Sequence, residues 1–283
     1  MGISLVPKDI HLNVDGKVKR ERKPKVTNAD LPFPTNSYSA DLKSWQSTFV
    51  PELMDWVATN DDPFAANAHP DFHTVVSNLW KTYYTTYEIT DAVYTQAAAA
   101  VRNWRSKFGK IGLKAIAASL ETLPTIESRA DYVANELLDS SFVYETGAYR
   151  SELIFRIFAA HLQVVLKTDI WYGHPVGAMA ISCAVAECTL QMHKTGACSS
   201  DSIKRKGKRS AHSFVAVPWA ARAKAYLPGI QKLLTNKWSK IIAMSKPFID
   251  SAAQITIDDT DGDESGADSR GLINISDDSD VEA

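Results

Sequence analysis

Cysteine is scarce here: three residues in 283, an odd number. That excludes a disulfide framework and reads as reduced thiols of the cytosol or nucleus. Long apolar runs are also missing. The longest stretch free of Asp, Glu, Lys and Arg, residues 170–186, holds His174, Pro175 and two glycines and is short for a bilayer crossing. It reads as a buried helix, and no membrane partner is expected. The opening MGISLVPKDI has no apolar core behind positive charges, so no secretory signal is expected. Val6 stands where a myristoylation signal after Gly2 wants Ser or Thr. The sequon Asn274-Ile275-Ser276 therefore carries no meaning. The chain lacks G-x-S-x-G, H-E-x-x-H, a P-loop and G-x-G-x-x-G. An enzyme is left without positive support, and one of unrecognised type would need a pocket between central helices near His161 or Glu152. No cofactor is expected.

Strand patterns are rare as well. HSFVAVP (212–218) is the only β-like run and reads as a loop. What the chain has in quantity is helical periodicity and aromatic side chains: seven Trp, ten Tyr and ten Phe. Pro51 opens a turn that puts Leu53, Met54, Trp56 and Val57 on one face. Pro70 and Asp71 precede a helix with Val75, Val76, Leu79 and Trp80. Val93, Ala97, Ala100, Val101, Trp104 and Phe108 recur at three- and four-residue steps, and Gly109 is expected to stop that helix. Its four consecutive alanines are expected to admit a close neighbour. Further helices are expected over 111–121, 128–138 (with Ser128 and Asp131 as a capping box), 149–166 and 176–194. FRIFAAHLQVVL and VGAMAISCAVAECTL are apolar nearly all round, which marks central helices. Pro228 is expected to break or kink the last pair, 219–226 and 230–244.

These patterns predict an all-α fold: a single irregular helical bundle of about eight to ten helices with disordered N- and C-terminal tails. The expected divisions are a basic disordered arm over 1–38 and a helical domain over 39–250 with a basic loop at 197–213. An acidic disordered tail over 251–283 completes the chain.

Segments FVPELMDWVATNDDPF, VVSNLWKTYY, AAAAVRNWRSKFGKIGLKAI, SRADYVANELL, YRSELIFRIFAAHL, HPVGAMAISCAVAECTLQMHKTG and WAARAKAYLPGIQKL cover most of residues 49–234. In this order they resemble a family of uncharacterised proteins of basidiomycete fungi. The resemblance implies an all-helical domain of unknown function and brings no catalytic residues.

Cys183, Cys188, His193 and Cys198 are spaced by five, which turns successive side chains off a common helix face. No metal site is expected, and Cys183 and Cys188 read as small core hydrophobes.

Charge is polarised. From Asp258 to Ala283 ten Asp or Glu face a single basic residue, Arg270, for a net −9; the whole chain carries −2, which leaves +7 on residues 1–257. The tail shields the body from nucleic acid, meets a basic partner or only keeps the chain in solution. Two basic clusters interrupt the sequence. One holds Lys19, Arg20, Arg22 and Lys23; the other holds Lys204, Arg205, Lys206, Lys208 and Arg209. Pro24 and Gly207 keep such peptides extended, which suits a nuclear import receptor or phosphate backbones. The localisation expected is nuclear, with cytoplasmic as the alternative. Nucleic-acid contact through 17–25 and 204–209 would be non-specific and salt-sensitive, since no aromatics interleave with either cluster.

The tail itself carries LINISDDSD. Leu272, Ile273 and Ile275 precede Asp277 and Asp278, and Ile255 and Ile257 repeat the design before Asp258 and Asp259. An extended peptide of this kind adds a strand to a sheet edge and places its carboxylates on a basic rim. The arrangement resembles the SUMO-interacting motif. The expected partners are proteins, a SUMO-like modifier among them, bound without catalysis.

Overall fold

The computed structural model describes residues 26–144, 147–166, 168, 170–197 and 216–252. Among the described residues the regular structure is helical and no strand forms. The fold is an irregular α-helical bundle.

Its first rod runs without interruption through α1 (Tyr38–Ser44), a π-helical turn (Trp45–Phe49) and α2 (Val50–Ala58). After a loop comes α3 (Phe72–Tyr83), then α4 (Asp91–Glu121) and α5 (Ile126–Leu137). The centre is made by α6 (Glu152–Val165) and α7 (Val176–Met192), and α8 (Ala216–Ile230) and α9 (Thr235–Ser245) close the bundle. α4 packs against both α6 and α7, α8 covers α7, and α9 and α2 lean on α6.

The reason for this order is in the side chains. α7 is buried from Gly177 to Leu190 without a break, so it can only be a central helix. Cys183 and Cys188 are part of that core, and burial pushes the Cys188 thiol up to about 12 and raises Cys183 as well. α6 buries Ile154, Phe155, Ile157 and Phe158 and leaves Glu152 and Arg156 outside, paired at 2.8 Å.

Four features differ from the sequence reading. The body starts before residue 39: Leu31 and Phe33 are buried, and Phe33 stacks on Trp80 at 5.7 Å. Phe33, between Pro32 and Pro34, anchors that stretch because its ring enters an aromatic cluster with Tyr84 and Tyr87. Second, α4 does not stop at Gly109 but continues to Glu121 as a 31-residue helix. Gly109 is buried and is not among the positive-φ glycines, so it packs inside the helix and does not cap it. Third, α5 begins at Ile126. Its cap is Thr125, whose hydroxyl accepts from Ser128 N at 3.1 Å while Ser128 Oγ accepts from Thr125 N at 3.2 Å. Ser128 is thus the third residue of the box and Asp131 plays no part in it. Fourth, Pro228 lies inside α8 near its end, and the break comes after Ile230.

The buried Arg105 of α4 holds the loop after α2. Its guanidinium donates to Phe64 O and lies 5.5 Å over the Phe64 ring.

Candidate functional site

The long α4 and the α1–α2 rod do not close on each other along their whole length. Between them lies a cleft of about 620 Å³. Ala99 and Ala100, from the four-alanine run, line it. Small side chains there leave space, while Ala97 of the same run is fully buried in the core.

The floor is apolar: Trp45, Val50 and Met54 from the rod, Trp104 and Ile111 from α4, Val164 from α6. Trp45, Met54 and Trp104 are buried. The rim is polar. Carboxamides come from Asn28, Gln46, Gln96 and Asn103, and two ammonium groups from Lys107 and Lys110. Among the described residues no Asp or Glu lines the cleft. Burial lowers the pKa of Lys107, and the nearby Lys110 charge lowers it further. Lys107 pairs with no carboxylate among the described residues. A cation in this state gains from an anion beside it.

The π-helical turn shapes one wall. Trp45 and Gln46 both belong to it, and the extra residue per turn re-aims side chains; such turns are frequent at functional positions. Trp45 is steadied by stacking on Phe49 at 4.2 Å. At one end Gln96 Nε2 donates to Val26 O at 2.8 Å, which ties the N-terminal segment and Asn28 to α4. Behind the floor, Nε1 of Trp104 makes no hydrogen bond among the described residues.

Other polar groups are buried elsewhere. His161 lies behind Trp104, ring centroids 6.0 Å apart, and burial lowers it to about 3. It is therefore neutral at ordinary pH, and it does not line the cleft. Glu152 is exposed. On α2, Glu52 and Asp55 are both buried. Asp55 rises to about 6, chiefly by burial, with Glu52 pushing the same way; Tyr172 N–H donates to Asp55 at 3.3 Å and opposes the rise. On α7, Glu187 is buried in a satisfied network. It accepts from Tyr226 OH at 3.0 Å and Gln191 at 3.1 Å and pairs with Arg222 at 3.3 Å.

The sequence-predicted contact residues all lie outside the described residues: Lys19, Arg20, Arg22 and Lys23; Lys204, Arg205, Lys206, Lys208 and Arg209; Ile255, Ile257, Leu272, Ile273, Ile275, Asp277 and Asp278. Sequence reasoning missed the cleft. Its signal was Asn103, Lys107 and Lys110 at steps of four and three, a polar stripe beside the apolar one on α4. Among the described residues no helix is long and apolar enough to cross a membrane.

Comparison with protein-family models, with curated proteins and with solved structures finds no match. The likeness to the fungal helical family rests on the quoted segments alone.

Proposed function

We propose that this protein works by contact and not by catalysis, as a nuclear interaction protein whose C-terminal peptide docks a SUMO-like modifier. The observation that carries the reading is the adjacency of Leu272, Ile273 and Ile275 to Asp277, Asp278 and Asp280. Aliphatic side chains fill a groove beside a sheet edge, and the carboxylates meet its basic rim. Phosphorylation of Ser276 or Ser279 adds charge and strengthens the contact.

Chain length favours the distal peptide over the proximal one. Ala252 is buried at the end of the body. At full extension about 3.5 Å per residue puts Ile255 no more than ~10 Å from it, and Leu272 up to ~70 Å. A folded partner reaches the second without meeting the body. The first adds avidity to a polymeric partner. The test is an NMR titration of labelled modifier with peptide 250–283 and with its Ile273→Ala/Ile275→Ala form. The reading expects saturable shifts along one sheet edge that vanish with the variant. Equal shifts from both peptides remove it.

A second reading is supported by the basic clusters at 17–25 and 204–209: nucleic-acid association held in check by the −9 tail. It expects tighter DNA binding on tail deletion, with a steep salt dependence. Equal, negligible affinity of both forms rejects it.

A further inference from the structure

The apolar stripe of α9 runs past the body. Trp238, Ile241 and Ser245 are buried, whereas Leu234, one turn before Trp238 on the same face, is 67% exposed. The connection between α6 and α7 adds to this uncovered surface. Trp171 there is 63% exposed and its neighbour Ile170 38%. The ring of Trp171 meets His174 edge-on at 5.9 Å, and His174 stacks on Trp238 at 5.3 Å, which sets the connection beside the start of α9. Tyr172 N–H donates to Asp55 at 3.3 Å and ties the same connection to α2. Trp171 and Leu234 thus form a braced apolar step that faces solvent.

Along α9 the exposed charge has one sign. Lys232, Lys237, Lys240 and Lys246 are exposed, and none forms an ion pair among the described residues. No Asp or Glu stands between Gln231 and Ile249. A lysine row that ends in an apolar step suits a chain with acidic and aliphatic parts in the matching order.

The tail has that order. Residues 235–252 are helical, so Leu234 lies about 27 Å from Ala252 at 1.5 Å per residue. The row from Lys246 to Lys237 covers about 14 Å on the same scale. A chain that turns back after Ala252 first brings Asp258, Asp259, Asp261, Asp263 and Glu264 past the lysines, spread over about 20 Å at 3.3 Å per residue. Leu272, Ile273 and Ile275 come later, and a reach of up to ~70 Å from Ala252 brings them to Leu234 with slack. We infer that the C-terminal tail folds back along α9. Its acids at 258–264 lie over Lys237, Lys240 and Lys246, and Leu272, Ile273 and Ile275 rest on Trp171 and Leu234.

Charge and tethering favour this occupant over a foreign one. The tail bears −9 against +7 on the rest of the chain. Exposed ion pairs are individually weak, but linkage in one chain supplies an effective concentration on the order of millimolar. The inference rests on the reading of LINISDD as a docking peptide and adds its regulation. Seated on α9, the peptide is withheld, and an outside partner has to displace it.

The test compares the amide resonances of residues 272–278 in isotope-labelled full-length protein with those of the isolated peptide 250–283. They should differ in the wild type. Trp171→Ala/Leu234→Ser should return them to the peptide positions, and so should Lys237→Glu/Lys240→Glu or raised salt. All four substituted side chains are exposed, so far-UV circular dichroism and melting should stay unchanged. Both variants should also bind a SUMO-like modifier about threefold more tightly than wild type, because the tail no longer has to be displaced. Wild-type resonances equal to those of the peptide overturn the inference, and so do resonances that differ but ignore both variants. A difference that grows with protein concentration places the tail on a second copy and overturns it as well. Modifier binding with an unseated tail sinks only the inference, and a seated tail without modifier binding sinks only the docking function.

Discussion

Gly112 of α4 lies directly against Val185 of α7: a Cβ added to Gly112 would collide with Val185 Cγ1 and crowd Thr189 Cγ2 at 3.2 Å. The two longest helices among the described residues, α4 and α7, meet at this point. Val185 is β-branched and fully buried, so it has little room to give. Gly112→Ala should therefore destabilise the protein by about 1–3 kcal/mol despite the better helix propensity of alanine. Denaturant unfolding monitored by circular dichroism measures it. An unchanged or raised midpoint would mean the helices are farther apart than described.

Phe33 tests the start of the body. It stacks on Trp80 and edges against Tyr87 at 6.1 Å, though it sits between prolines in a stretch whose composition suits an arm. Phe33→Ala should cost about 3 kcal/mol, the loss expected for a buried aromatic. A surface arm would lose almost nothing.

Asp55 gives a pH dependence with a defined sign. Its folded pKa is about 6 against 3.8 in a free chain. The folded state thus holds the proton more tightly, and stability attributable to this group falls as pH rises from about 4 through about 6. Asp55→Asn removes the titration. Between about pH 4 and about pH 7 the wild type should lose up to ~3 kcal/mol relative to the variant. Parallel pH profiles of unfolding midpoints would contradict this.

Tyr226 OH is one of the donors that satisfy Glu187. Tyr226→Phe leaves a buried carboxylate oxygen short of a partner and should cost about 1–3 kcal/mol. Glu187→Gln in the same background should recover part of that loss in a double-mutant cycle, because the neutral amide is cheaper to bury. Strictly additive changes would show that the two residues do not interact.

The helices were readable because apolar residues recur at helical steps, and VGAMAISCAVAECTL had no polar face to expose. The all-α class followed from that alone. The glycines were harder. Gly109 and a true stop such as Gly196 look alike in sequence, but of the two only Gly196 adopts positive φ (78°), and Gly109 is buried inside α4. Phe33 was hidden for a related reason: its partners Trp80, Tyr84 and Tyr87 lie far along the chain. Of the cleft only the polar stripe of Asn103, Lys107 and Lys110 on α4 was legible. The cleft joins Asn28, Gln46, Gln96, Asn103 and Lys107 from separate segments, and its shape depends on a π-helical turn with no fixed sequence signature. The buried pair Glu52 and Asp55 broke the apolar face that Leu53, Met54 and Val57 announced, and nothing local marked it.

The division between a packed helical body and a contact-making C-terminal peptide is tested most directly by calorimetric titration of the full-length protein with a SUMO-like modifier, beside its Ile273→Ala/Ile275→Ala form. The wild type should bind with measurable heat, and the double variant should bind at least tenfold more weakly with an unchanged melting temperature. Equal affinities for the two proteins, or no heat from either, would contradict the account.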